Sequence, residues 1–261
     1  MIILNDDFLM QSVSAFLLLS VRLSAFFLVA PVFSASAVTV PIRVAIMMGL
    51  TFALMTTITV PPIDLFSPYG TTVVAREMVI GISVGILFQI AFASVAMAGE
   101  HIASSMGLGF ASMVDPQTGA QSVVVTQFMS IIMILIFLVT EGHHVLLRQL
   151  VASYKAAPIG GDLDSGLFLG IIQAGALMFS AALIISLPAV VLLFLVNVLI
   201  GFMTRVAPQM NIFSIGFPLT IIVGFAMVLI SLPSMGNSMS GLLQTASGMV
   251  RELVLENKAL P

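Results

Sequence analysis

Residues 166–204 hold no Asp, Glu, Lys, Arg or His, and no other stretch of the chain limits its possible folds more. As one helix they would run about 58 Å, at about 1.5 Å per residue, against a hydrocarbon core of about 30 Å. Pro188 sits mid-stretch, after Ser186-Leu187, so a kink or a break into two helices is expected there. In lipid every backbone N–H and C=O must be paired inside the protein, which leaves helices or closed barrels. Barrel strands are short and alternate apolar with polar residues, whereas these runs are long and continuous. The expected fold class is all-α. Across the whole chain 60% of residues are hydrophobic and 7% charged, against roughly 25% charged in a soluble domain. Such a chain is an integral membrane protein or is buried in a membrane assembly.

The aromatic content separates lipid from protein surroundings. There is no Trp, and the two Tyr are Tyr69 and Tyr154, beside 19 Phe and 18 Met. Lipid-facing helices usually carry Trp/Tyr belts at the headgroups, while Met packs well against irregular protein surfaces. Much of this surface is therefore expected to touch other subunits. A net charge of −3 argues against nucleic acid as a partner. The absence of cysteine excludes disulfides, thiolate metal sites and a cysteine nucleophile in this chain. The start, Met-Ile-Ile-Leu-Asn-Asp-Asp, is acidic and lacks a basic n-region, so the first apolar segment is expected to stay in the mature protein.

Residues 9–33 form that first segment, interrupted by Arg22 and ended near Pro31. Residues 34–42 are a connection ending in Pro41, and 43–60 are a second segment stopped by Pro61-Pro62. A loop over 63–70 leads to Arg76-Glu77 and a third segment, 78–99. The fourth is 123–140, followed by a more polar stretch, 141–165. After the 166–204 stretch, Arg205 and Pro208 mark a turn; 211–232 are the last long apolar segment before Pro233, and 237–257 read as a terminal helix. Lys and Arg fall on both sides of any six-pass threading, so loop charge sets no orientation. Gly81 with Gly85, and Gly166 with Gly170, fall four apart. They give bare helix faces where another helix can approach, with packing inside the chain the preferred reading.

Residues 98–119 make a polar, glycine-rich break bracketed by Glu100 and Asp115. One reading is a connection whose glycines relieve turn strain, with Asp115-Pro116 and Gln117-Thr118-Gly119 supplying turn chemistry. The other is a plug. Backbone at Gly107 and Gly109 enters a narrow space while Leu108, Phe110 and Met113 fill it and exclude water. Burying such side chains contributes about 1.5–3 kcal/mol each. Taking a gate from about 99% closed to 99% open requires about 5.5 kcal/mol, so the scales match.

Ionisable residues inside apolar segments are few. Arg22 is expected to snorkel or to pair across a subunit interface. Glu100 is expected to cap the loop or pair with an arginine. His143 and His144 are adjacent, so they lack the i, i+4 spacing of a metal pair and read as a polar rim with Glu141. No Walker loop, nucleophile elbow or H-E-x-x-H motif is present. No enzyme activity, cofactor or metal is expected.

Two blocks carry a resemblance that spans nearly the whole chain. Ala98-Gly99-Glu100, the run Met106-Gly107-Leu108-Gly109-Phe110-Ala111 and Val114-Asp115-Pro116 resemble the central loop of the FliR family of flagellar biosynthetic proteins. Arg205-Val206-Ala207-Pro208-Gln209-Met210-Asn211-Ile212-Phe213, followed by Ile215-Gly216-Phe217-Pro218-Leu219-Thr220, resembles the family's other hallmark. Arg22, Ala30-Pro31, Pro41, Arg43 and Gly142-His143 with Leu146 also fit, while His144 and Ser104-Ser105 are less typical.

The resemblance implies one copy of this chain in a helical ring with FliP and FliQ, with FlhB and FlhA alongside, in the bacterial inner membrane at the flagellar basal body. It implies a single export-gate domain over 1–261: a FliP-like front part (1–165) with a loop at about 100–120, then a FliQ-like hairpin (166–261), the hairpins long and kinked. The loop, from Met106 through Met113 and Val114 to Pro116, would plug a pore for unfolded flagellar proteins. Arg22, Glu100, Arg205, Pro208, Phe217 and Pro218 would serve intersubunit or structural contacts. The alternatives are an injectisome homologue of the same gate and a stand-alone transporter. Scarce buried ionisable pairs and the lack of inverted repeats count against the transporter.

Overall fold

Unbroken apolar runs demand helices, and helices are what form. The computed structural model describes residues 6–34, 38–108, 120–161, 166–206 and 212–255, with the side chains of 6–9, 120–123 and 212–215 left aside. The elements are α1 (Asp6–Val29), α2 (Val40–Met55), α3 (Pro68–Ser105), α4 (Ala120–Val139), α5 (Gly142–Ala156), α6 (Gly166–Val206) and α7 (Ile212–Val250). A π-helical turn, Arg251–Leu255, follows α7. No strand occurs among the described residues. Among the described residues four helices are long and apolar enough to cross a membrane, or five if α4 and α5 count as one span. The chain is a membrane protein.

Several expected boundaries move, each for a physical reason. The second segment begins three residues early, because Pro41 suits the first turn, where its missing N–H has no partner to lose. It ends at Met55 instead of running to the proline pair. Pro188 sits inside a continuous α6, so of the kink or break expected there the break does not occur. Likewise 211–232 and 237–257 are not two helices, since α7 runs through both Pro218 and Pro233. Proline is tolerated in long apolar helices where neighbouring groups take up the freed carbonyl. The break expected at 98–119 starts late, because α3 continues to Ser105.

The chain forms two compact units. Unit 1 comprises Met1–Ile90, Glu141–Ala174 and Thr245–Pro261; unit 2 comprises Ala91–Thr140 and Gly175–Gln244. In unit 1, α1 and α3 cross closely because Gly81 and Gly85 present no side chain. A Cβ on Gly81 would strike the Arg22 carbonyl oxygen, and one on Gly85 would come 3.1 Å from the Ala30 nitrogen. The glycine pair packs within the chain, as read. Elsewhere in unit 1, a Cβ on Gly170 would collide with the Leu253 side chain of the π turn. Gln149 Nε2 donates to the Ser247 carbonyl at 2.9 Å and hydroxyl at 2.7 Å, tying α5 to α7.

Candidate functional site

Unit 1 carries a buried polar cluster. Arg22 and Glu77 are both fully buried. Arg22 Nε and Nη2 each lie 2.7 Å from one carboxylate oxygen, Glu77 Oε2. Nη1 donates to Ser153 Oγ at 3.1 Å and Nη2 to the Ala157 carbonyl at 2.8 Å. The guanidinium carbon sits 4.2 Å from the centre of the Tyr154 ring, a cation–π geometry, and the Tyr154 hydroxyl donates to the Leu19 carbonyl at 2.7 Å. Burial of one such charge alone is costly, so both signs enter together. This corrects the expectation for Arg22, which neither snorkels nor needs a second subunit for its ion pair. Glu77 was missed, because beside Arg76 it reads as half of a local charge pair ahead of the third segment.

The turn after α5 is held by the same means. Arg22 takes the Ala157 carbonyl, Arg76 Nη1 that of Pro158 at 3.2 Å, and the Tyr69 hydroxyl that of Gly160 at 3.0 Å. At the start of α5, Glu141 adopts a left-handed backbone (φ 55°) and lies 3.8 Å from His144 Nδ1, with both side chains exposed. The His143 and His144 rings lie 4.1 Å apart. Among the described residues no group of three or more His, Cys, Asp or Glu is placed to hold a metal ion.

The glycine-rich break begins in unit 2, and the end of α3 there is fully accounted for. The last carbonyls of a helix lack intrahelical donors. Here Leu108 N donates to Ala103 O at 3.1 Å and Gly107 N to Ser104 O at 3.0 Å, the paired bonds of a Schellman cap. Gly107 supplies the left-handed residue the cap needs, with φ 82°. Asn197 Nδ2 of α6 donates to Ser105 O at 3.3 Å, and Thr220 Oγ1 of α7 to Met106 O at 2.9 Å. Met106 is fully buried and Leu108 nearly so. The Met106 side chain fills a notch at Gly224, where a Cβ would fall 2.5–2.7 Å from its Cγ, Cε and Sδ. The Phe217 ring closes over Gly107, 3.3 Å from where a Cβ would stand.

Of the expected plug residues, Met106 and Leu108 pack inside the chain's own unit 2 and Gly107 caps α3. Gly109, Phe110, Met113, Val114, Asp115, Pro116 and Pro208 lie outside the described residues. Glu100 is exposed and accepts from Thr126 Oγ1 at 2.8 Å, so its partner within the chain is a threonine on α4, not an arginine. Its neighbour Gly99 makes that crossing possible, since a Cβ there would stand 2.7 Å from Thr126 Cα. Arg205 is exposed in the last turn of α6, where a cation complements the helix dipole. Phe217 has the Gly107 contact, and Pro218 is exposed inside α7. Asn197 and Gly224 went unnoticed in the sequence because their role depends on where the end of α3 falls.

The described start of the loop is thus built into the fold by residues of both sequence blocks, and both blocks lie within the stretch that matches a known family. The family profile of bacterial export proteins, family 1, matches residues 13–246. The chain belongs to this family. It is 36% identical over 213 residues to flagellar biosynthetic protein FliR of Escherichia coli (strain K12), covering 81% of this chain and 82% of that protein. It is 34% identical over 234 residues to FliR of Pectobacterium carotovorum subsp. carotovorum (89% and 90%) and 34% over 222 residues to FliR of Bacillus subtilis (strain 168) (83% and 85%). The chain is therefore a FliR-family membrane protein with a role in flagellar protein export.

Proposed function

We propose that this chain is a non-enzymatic subunit of the export gate in the bacterial inner membrane, and that the segment after α3 plugs the pore through which unfolded flagellar proteins pass. One observation carries the assembly part of this reading. α6 has 41 residues, about 62 Å of helix against a core of about 30 Å. Its buried stripe is narrow, with Ala174, Ala182, Ile185, Ala189 and Leu193 on it. Ile172, Ile184, Phe194, Leu199 and Met203 are exposed along its length. Lipid covers about half of such a helix, and exposed apolar surface of this extent marks a protein contact. FliP and FliQ, with FlhB and FlhA, are the neighbours the family resemblance supplies. The division into a FliP-like 1–165 and a FliQ-like 166–261 belongs to the same reading. The relatives reported above carry the flagellar name, which favours this over an injectisome role.

With Met106 and Leu108 committed to the fold, sealing falls to Phe110 and Met113, with Asp115-Pro116 fixing the chain's return. The experiment is deletion of 109–119, which spares the α3 cap, in the reconstituted complex. Ion conductance should rise well above wild type; unchanged conductance removes the plug role.

A further inference from the structure

The end of α3 is attached to α7 by a contact whose chemistry suits opening. Thr220 has one hydroxyl proton and two acceptors within reach: Met106 O at 2.9 Å and, in its own helix, Phe217 O at 3.0 Å. If α3 and α7 separate, Thr220 keeps a hydrogen bond by turning to Phe217. The second half of the contact is equally yielding. Met106 is unbranched and deformable, and it occupies the Gly224 notch with side-chain atoms only. The Gly99–Thr126 crossing in the same unit is different, because there backbone meets backbone. Thr220 and Gly224 lie between Pro218 and Pro233, both inside α7. Each proline removes one intrahelical hydrogen bond, so this is where α7 bends most readily.

We propose that Thr220 and Gly224 are positioning residues forming a releasable latch on Met106, and that a shift of α7 away from α3 frees the following loop. The latch rests on the plug reading and adds how the plug is held and let go. In the latched state Met106 fills the notch and its carbonyl takes the Thr220 proton. In the released state Met106 leaves, and the Thr220 proton returns to Phe217 O.

The chain has no cysteine of its own, which makes a reversible lock available. A complex carrying Met106→Cys with Gly224→Cys should, once oxidised and shown to be cross-linked within the chain, lose flagellar-protein export by about tenfold or more. Its conductance should stay at the closed level, and reductant should restore export. Export by the cross-linked complex at the reduced rate overturns the latch. In a second arm, Gly224→Ala displaces only a flexible side chain, so the fold tolerates it while Met106 is expelled. Conductance should then rise several-fold with 109–119 intact. The control is Gly236→Ala on the same helix, whose Cβ would meet nothing closer than Ile136 Cδ1 at 3.8 Å, and which should conduct as wild type. Wild-type conductance in Gly224→Ala overturns the latch. The plug reading survives that result if the 109–119 deletion still leaks, and both fall together if it does not.

Discussion

Unit 1 seats a guanidinium against a carboxylate with neither exposed to solvent; unit 2 seats a methionine side chain against a bare glycine. The two arrangements respond to disturbance in opposite ways. A buried ion pair that loses one member leaves an uncompensated charge, a penalty of about 3–5 kcal/mol, so α1, α3 and α5 in unit 1 are held in one geometry. A thioether leaving a notch gives up dispersion contacts of about 0.1–0.2 kcal/mol per atom pair, and the carbonyl it exposes is a single group. Within unit 2 the described charges are Glu100 and Arg205, both exposed. Unit 1 is held by a buried charge pair, and the end of α3 in unit 2 by shape and uncharged hydrogen bonds.

Substitutions can break or sharpen that contrast. The largest effect is expected from Arg22→Met, which should lower the stability of the detergent-purified complex by about 3–5 kcal/mol in chemical denaturation. Adding Glu77→Met should recover most of that loss. A single variant as stable as wild type means charge does not hold unit 1. Next comes Gly99→Ala, where an added Cβ meets the Thr126 backbone. Overpacking there should cost about 1–3 kcal/mol without raising conductance, the reverse of the pattern expected for Gly224→Ala. Equal behaviour of the two variants erases the distinction between a fixed crossing and a latch. The smallest effect belongs to Gly236→Ala, whose site has ordinary room. Replacing a helical glycine should there leave melting temperature unchanged or raise it, by up to about 1 kcal/mol in free energy; a clear loss means α7 is tighter along its length than its contacts imply.

The helical class and the membrane setting were legible because they depend on composition and run length alone. Helix ends were less so. Pro188 read as a kink or break and Pro233 as a stop, yet α6 and α7 pass through them, because a proline's effect depends on neighbours the sequence does not display. Gly99 read as part of a loop, although it is a crossing glycine inside α3. Bare glycines look alike in sequence whether they serve a turn, as Gly107 does, or a helix contact, as Gly81 does. For the site, the two quoted blocks were found, but their meeting was not: Thr220 lies 114 positions from Met106. The partner of Arg22 stayed hidden for the same reason, since Glu77 is 55 positions away.

The length of α6 has a consequence for how the protein is made. On the proposed assembly, a newly inserted copy has more greasy helix than the bilayer can shelter, and until neighbours arrive about 30 Å of it lacks cover. Such an orphan is a substrate for membrane quality control, so cells should retain only as many copies as they have companions ready to receive them.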